Sequence, residues 1–182
     1  PNGTGFVHRG VAAWRDGTAL RIFMNSRSRL ISLDAKTGQP VETFGDHGSV
    51  DLTKGLRWDV EPARYTNTSP PVVYKNLIIL ADASGFLPYP VRPADPRAYD
   101  LRTGNLVWIS RLVPDLGQEG GDSWGPDPRS VAGSGSWGIL SLDETTGTVY
   151  VPTDSGSPDL VGIWRPGDKV VLNGWRVGEI HW

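Results

Sequence analysis

"LDAKTGQPV" (33–41) and "YDLRTGNLVW" (99–108) share one frame: an acid, a basic residue two places on, then threonine and glycine. An aspartate that opens a tight turn accepts hydrogen bonds from backbone N–H groups two or three residues later. Threonine adds a second local bond, and glycine supplies the positive φ that reverses the chain into the next strand. Each frame therefore predicts a strand, a turn and a returning strand. A third, damaged copy is read in "NGWRVGEIHW" (173–182), aligned on Gly38, Gly104 and Gly178. Four places after these glycines stand Glu42, Trp108 and Trp182. An indole at this place on the returning strand is expected to reach sideways into a neighbouring sheet.

Alternating segments precede each frame. The first unit reads as strands "GVAAW", "RIFMN", "RLISLD" and "PVETF". The second reads as "PPVVY", "LIILAD", "PRAYD" and "LVWIS", and the third as "WGILSLD", "TVYVPT", "KVVLN" and "EIHW". Segments 45–65 and 109–133, rich in Gly, Pro and Asp, are expected to be loops. Four strands per unit, repeated, describe an all-β radial architecture, a β-propeller. The expected units are 6–44, 68–110 and 134–182, within one partial propeller domain spanning 1–182. A two-layer sandwich also yields short strands with turn signals, but it has no need of the same turn at matching places. Propellers close with about four to eight units. Three units leave sheet faces that expect neighbours, so the remaining propeller blades are the first partner the sequence implies.

Composition agrees with many short strands. Among 182 residues there are 23 Gly, 15 Pro and 8 Trp, a mixture of turn formers and aromatics. The 18 basic and 20 acidic side chains give a net charge of −2, which offers no electrostatic reason for a nucleic-acid partner. With no cysteine there is neither a disulfide nor a thiolate metal site. "GSGSWG" (133–138) lacks the lysine of a phosphate-binding loop, and Ser134 and Ser136 have no evident His–Asp partners for hydrolytic catalysis.

Six segments in order, "HRGVAAW", "LISLDAKTGQPVETFGDHGSVDL", "TSPPVVYKNLIILADASG", "RAYDLRTGNLVW", "SWGILSLDETTGTVYVPT" and "SPDLVGIWRPGD", resemble the quinoprotein dehydrogenases that use pyrroloquinoline quinone (PQQ). The likeness is greatest to the membrane-bound glucose, quinate and polyol branch. The resemblance implies an eight-bladed propeller of which this chain forms about three four-stranded blades. It implies oxidation of an alcohol or sugar hydroxyl, with electrons passed to a quinone or cytochrome, in the periplasm and with attachment to the inner membrane through other sequence.

The resemblance also implies a PQQ site at the propeller axis with Ca²⁺ or Mg²⁺ beside it. Arg9 matches an arginine that meets a PQQ carboxylate, Thr68 a hydroxyl donor to the cofactor, and Trp137 the indole floor of the site. Asp154 and Ser155 stand where relatives carry Gly-Asn with a metal-binding Asn, so these two are the candidate metal ligands. Ala81, Asp82 and Ala83 replace a Gly-Ser-Ser, and Phe86 stands near a metal-binding glutamate of some relatives. The family's catalytic aspartate belongs to a segment resembling His-Asp-x-Trp-Asp, and no residue of this chain matches it. The chain alone is therefore expected to be inactive. The rival expectation is a propeller scaffold of this type that binds proteins and no PQQ.

Overall fold

The computed structural model describes residues 9–82, 92–124, 132–133, 135–153, 156–157 and 175–176, which fall into two compact units. The first unit, formed by 1–80 and 97–108, holds two four-stranded sheets. The strands of the first sheet are β1 (Ala12–Asp16), β2 (Ala19–Ser26), β3 (Arg29–Asp34) and β4 (Ser49–Asp51). Those of the second are β5 (Val72–Tyr74), β6 (Leu77–Leu80), β7 (Arg97–Asp100) and β8 (Leu106–Ile109). Each sheet is a meander in chain order, and the registered pairs are antiparallel.

Two-residue loops close the hairpins β1–β2, β2–β3 and β5–β6. Their first loop residues, Gly17, Arg27 and Lys75, take φ of 59°, 53° and 52°. This left-handed geometry matches the twist of the flanking strands, which is why such short loops close at all.

The core of this unit lies between its sheets. Phe23 and Leu30 of the first sheet cluster with Ile78, Leu80 and Tyr99 of the second, and Phe44, Leu52, Tyr65 and Leu101 from the adjoining segments join them. Phe23 and Phe44 make an edge-to-face pair with centroids 5.6 Å apart. In β6 all four residues are buried, the outward Leu77 and Ile79 as well as the core-facing Ile78 and Leu80. A strand covered on both faces belongs to an inner layer. That is what radial packing of successive sheets requires, and a sandwich with one wet face per sheet does not.

All four strands expected in the second sheet form. In the first, the expected fourth strand "PVETF" does not. Pro40 makes only an isolated bridge with Leu33, and the chain then turns, Phe44 N–H donating to Val41 O at 2.9 Å. The edge is taken instead by Ser49–Asp51, paired with Arg29–Ile31, inside the segment expected to be loop. The expected loop 109–133 likewise carries a 3-10 turn at Gly121–Trp124 and the short strand β9 (Ala132–Gly133).

The repeated turn forms as its chemistry dictates. Asp34 Oδ1 accepts from Lys36 N–H (3.0 Å), Thr37 N–H (2.8 Å) and the Thr37 hydroxyl (2.9 Å). Asp100 Oδ1 accepts from Arg102 N–H (3.0 Å), Thr103 N–H (2.8 Å) and the Thr103 hydroxyl (2.9 Å). Gly38 and Gly104 sit at φ 72° and 75°. At Asp34 the Thr37 N–H and hydroxyl hold the carboxyl below the usual aspartate range. At Asp100 partial burial pushes upward but is outweighed by the bonds from Thr103 and Arg102, so its carboxyl is lowered too.

The third turn is not where the sequence frame was placed. The second unit, formed by 81–96 and 109–182, contains β10 (Ser141–Asp143), β11 (Thr148–Tyr150), β12 (Gly156–Ser157) and β13 (Trp175–Arg176). Trp175 and Arg176 pair with Val149 and Thr148 as strand, so Arg176 does not occupy the turn position that the alignment on Gly178 assigned to it. The turn appears at Asp143–Gly147. Asp143 accepts from Thr145 N–H at 2.9 Å and the Thr146 hydroxyl at 2.8 Å, and Gly147 has φ 73°. There it joins β10 to β11. The rest of 173–182, Trp182 included, and the expected strand "KVVLN" lie outside the described residues.

Candidate cofactor-binding site

The site is built on an extended strap that enters β5. A 3-10 turn at Pro62–Arg64 ends at Tyr65, whose φ and ψ are already extended. From there burial alternates: Tyr65, Asn67 and Ser69 are buried, while Thr66, Thr68 and Pro70 are only partly covered. The buried side is anchored at Tyr65. The Arg97 guanidinium, itself buried, donates to Tyr65 Oη (2.5 Å) and to Leu52 O (2.8 Å). It stacks on the Tyr65 and Tyr99 rings at 5.9 and 5.8 Å from their centroids. Asn67 N–H donates to Arg27 O at 3.0 Å. With its odd residues held inward, the strap presents Thr68 outward.

Arg9 meets Thr68 there, 59 positions away in sequence. Its backbone N–H donates to Thr68 O at 3.2 Å, and its guanidinium donates to Thr68 Oγ1. Close approach of the two segments is possible because residue 10 is glycine: a Cβ there would stand 3.3 Å from Pro70 Cβ.

The chemistry of this pair suits an anionic oxygen. The Thr68 hydroxyl accepts from Arg9, so its own proton points elsewhere and is a donor for a ligand. Arg9 is exposed and carries five N–H donors in a planar fork that matches a carboxylate. PQQ, a planar quinone with three carboxylates, has groups of the kind this donor set recognises.

Trp137 belongs to the second unit and precedes β10. Its neighbours are fixed: Ser136 is fully buried and its N–H donates to Asp82 O at 2.6 Å. Gly138 is packed so closely on Pro152 that a Cβ would lie 3.1 Å from its Cγ. Trp137 itself is 52% exposed, presenting apolar ring surface from a constrained backbone. Such a face suits a flat conjugated ligand.

The metal candidates Asp154 and Ser155 lie outside the described residues, as do Ala83 and Phe86. Among the described residues no three His, Asp or Glu side chains come together as a metal site. Asp82, which replaces a family serine, is buried with 2% exposure. Two features escaped the sequence reading. The Arg97 anchor is an ordinary basic residue in "PRAYD", without a motif, and the burial alternation of 65–69 is hidden in a run of polar residues and prolines.

The comparisons with known proteins decide the family. The family model described as "PQQ: Glucose/ethanol/alcohol dehydrogenase, beta-propeller domain" matches residues 2–173. This chain belongs to that family. The quinoprotein glucose dehydrogenase of Gluconobacter oxydans (strain 621H) is 31% identical over 176 residues, covering 85% of this chain and 20% of the relative. The quinate/shikimate dehydrogenase (quinone) of Acinetobacter baylyi is 30% identical, covering 78% of this chain and 18% of the relative. The crystal structure of the quinohemoprotein alcohol dehydrogenase from Comamonas testosteroni aligns with a TM-score of 0.66 at 25% identity, over 93% of this chain and 26% of that one. The chain thus spans about a fifth of the length of the curated relatives it matches. Its fold is the β-propeller of the PQQ dehydrogenases.

Proposed function

We propose that this chain supplies part of the cofactor cradle of a PQQ-dependent dehydrogenase acting on an alcohol or sugar hydroxyl. The observation that carries the reading is the pairing of Arg9 with Thr68 on the open side of the strap, within a chain of the PQQ propeller family. Arg9 and Thr68 would hold a PQQ carboxylate by charge-assisted and neutral hydrogen bonds. Trp137 would offer its ring face to the plane of the quinone. When bound, PQQ supplies the two-electron acceptor for oxidation of the carbinol. Ca²⁺ or Mg²⁺ would be held with help from Asp154 and Ser155. These residues bind, orient and exclude water; none is assigned proton transfer.

The remaining blades of the propeller would complete the domain, with 1–182 forming part of one propeller. A quinone or cytochrome would take the electrons, and the periplasm is the compartment we assign, with inner-membrane attachment through other sequence. Titration of the protein with PQQ, followed by tryptophan fluorescence, tests the reading. Arg9→Ala is expected to weaken binding by about 10- to 100-fold, the loss of a charge-assisted hydrogen bond. Unchanged affinity in that variant refutes the clamp, and absence of PQQ binding altogether returns the scaffold reading. Dye reduction with PQQ, Ca²⁺ and glucose is expected to show no turnover by the chain on its own.

A further inference from the structure

Behind the outward face of the strap lies a buried amide. Asn25, on β2, is fully buried. Its Nδ2 donates to Ser69 O at 2.7 Å and to Asn67 Oδ1, the residues on either side of Thr68. Both partners are themselves 3% exposed. Its Oδ1 is buried with no hydrogen-bond partner. A buried acceptor without a donor costs stability, and an apolar side chain of similar size would avoid that cost. What an apolar residue would not do is hold 67 and 69 inward at once. In an extended segment, fixing two alternate residues on one side fixes the residue between them on the other.

We infer that Asn25 is a positioning residue for the ligand clamp. Its amide sets the facing of Thr68, and through Thr68 that of the Arg9 guanidinium, toward an anionic group. This rests on the reading of Arg9 and Thr68 as PQQ ligands. Asn25 touches no ligand. Its effect is on affinity for the carboxylate-bearing cofactor, and it acts only while the Thr68 hydroxyl is present.

The test is a double-mutant cycle in PQQ affinity, with thermal unfolding recorded for each protein. Thr68→Ala is expected to weaken binding. Asn25→Ala is expected to weaken it about tenfold, the scale on which removing a supporting hydrogen bond acts. The double variant is expected to bind no worse than Thr68→Ala alone. Asn25→Ser, which keeps one donor, is expected to fall between wild type and Asn25→Ala, and it carries the cycle if the alanine variant does not fold. Wild-type affinity in a folded Asn25 variant overturns the inference. So does an equal weakening by the Asn25 change in the Thr68→Ala background, because a merely structural role is additive. If Thr68→Ala and Arg9→Ala both bind PQQ as tightly as wild type, it is the clamp reading that fails, a result distinct from either of these.

Discussion

The turns Asp34–Gly38 and Asp100–Gly104 make the same hydrogen bonds at the same lengths, yet their surroundings differ. Gly104 is buried and Gly38 is exposed. A Cβ on Gly104 would lie 2.7 Å from Val50 Cγ2 and 3.0 Å from Gly45 N, whereas one on Gly38 would meet nothing within 4 Å. Gly45 N–H donates to Thr103 O at 2.8 Å. Arg102 lies over the Trp14 ring at 4.8 Å from its centroid and reaches Asp16 at 3.3 Å. The second turn is docked on the first sheet. The two turns separate what local sequence determines, the turn itself, from what a neighbour adds, the docking. The indole in this contact is Trp14 of β1, not the one expected four places after the glycine. Trp108 is half-buried on β8.

The sharpest way to break the comparison is to give both glycines a methyl group. Gly38→Ala meets only the left-handed backbone cost, about 1–2 kcal/mol. Gly104→Ala adds a clash against Val50 and the Gly45 backbone, and overpacking adds roughly 1–3 kcal/mol. Denaturant unfolding is expected to show Gly104→Ala losing about twice as much as Gly38→Ala. Equal losses would mean that the docked contact is soft.

A smaller effect is expected one position from the threonines. Arg102→Ala removes a cation–π contact and a half-exposed ion pair, together about 1 kcal/mol, and the part due to Asp16 should shrink in high salt. Lys36→Ala, at the matching place in the undocked turn, is expected to change stability by less than about 0.5 kcal/mol. Parallel melts at low and high salt check both. If Lys36→Ala destabilises as much as Arg102→Ala, docking is not what distinguishes the turns.

These contrasts also mark how far the sequence could be read. The Asp, Thr and Gly of each turn act on backbone groups within four residues, so their spacing exposes them. By the same logic "LDETTG" (142–147) carries the Asp, Thr and Gly at the same spacing, but with Thr145 in place of the basic residue, and the alignment on Gly178 places the third frame elsewhere. The edge strand Ser49–Asp51 was hidden for another reason. It is three residues long and pairs with Arg29–Ile31 across a turn whose glycines pack tightly: a Cβ on Gly48 would lie 2.5 Å from Pro40 Cβ. Nothing local in "SVD" announces that. At the candidate site, Arg9 and Thr68 were named through resemblance, and the structure brings them together. Asn25 was beyond reach, since the sequence of β2 does not disclose partners more than 40 positions away.

The smallest expected effect concerns what the turns have in common. The folded pKa values of Asp34 and Asp100 lie below the ordinary aspartate value near 4, and so does that of Asp143, held down chiefly by the Thr146 hydroxyl and Thr145 N–H. A depressed folded pKa means that the unfolded chain binds the proton more tightly. Their contribution to stability is therefore fully present above about pH 4–5 and is lost as pH falls through the folded values. Removing a bond to the carboxylate should matter most while the charge exists. Thr37→Val and Thr103→Val are expected to lower the melting temperature by a few degrees at pH 7, and by progressively less as the pH is lowered through the folded values of their aspartates. The loss should be similar in the two turns, because each threonine donates the same two bonds to its aspartate and its hydroxyl accepts from the N–H two residues on, whether or not the turn is docked. A penalty for Thr103→Val that persists as the pH falls, while that for Thr37→Val fades, would show that the threonine also serves the docked contact, and the division between local turn and tertiary docking would have to be redrawn at that residue.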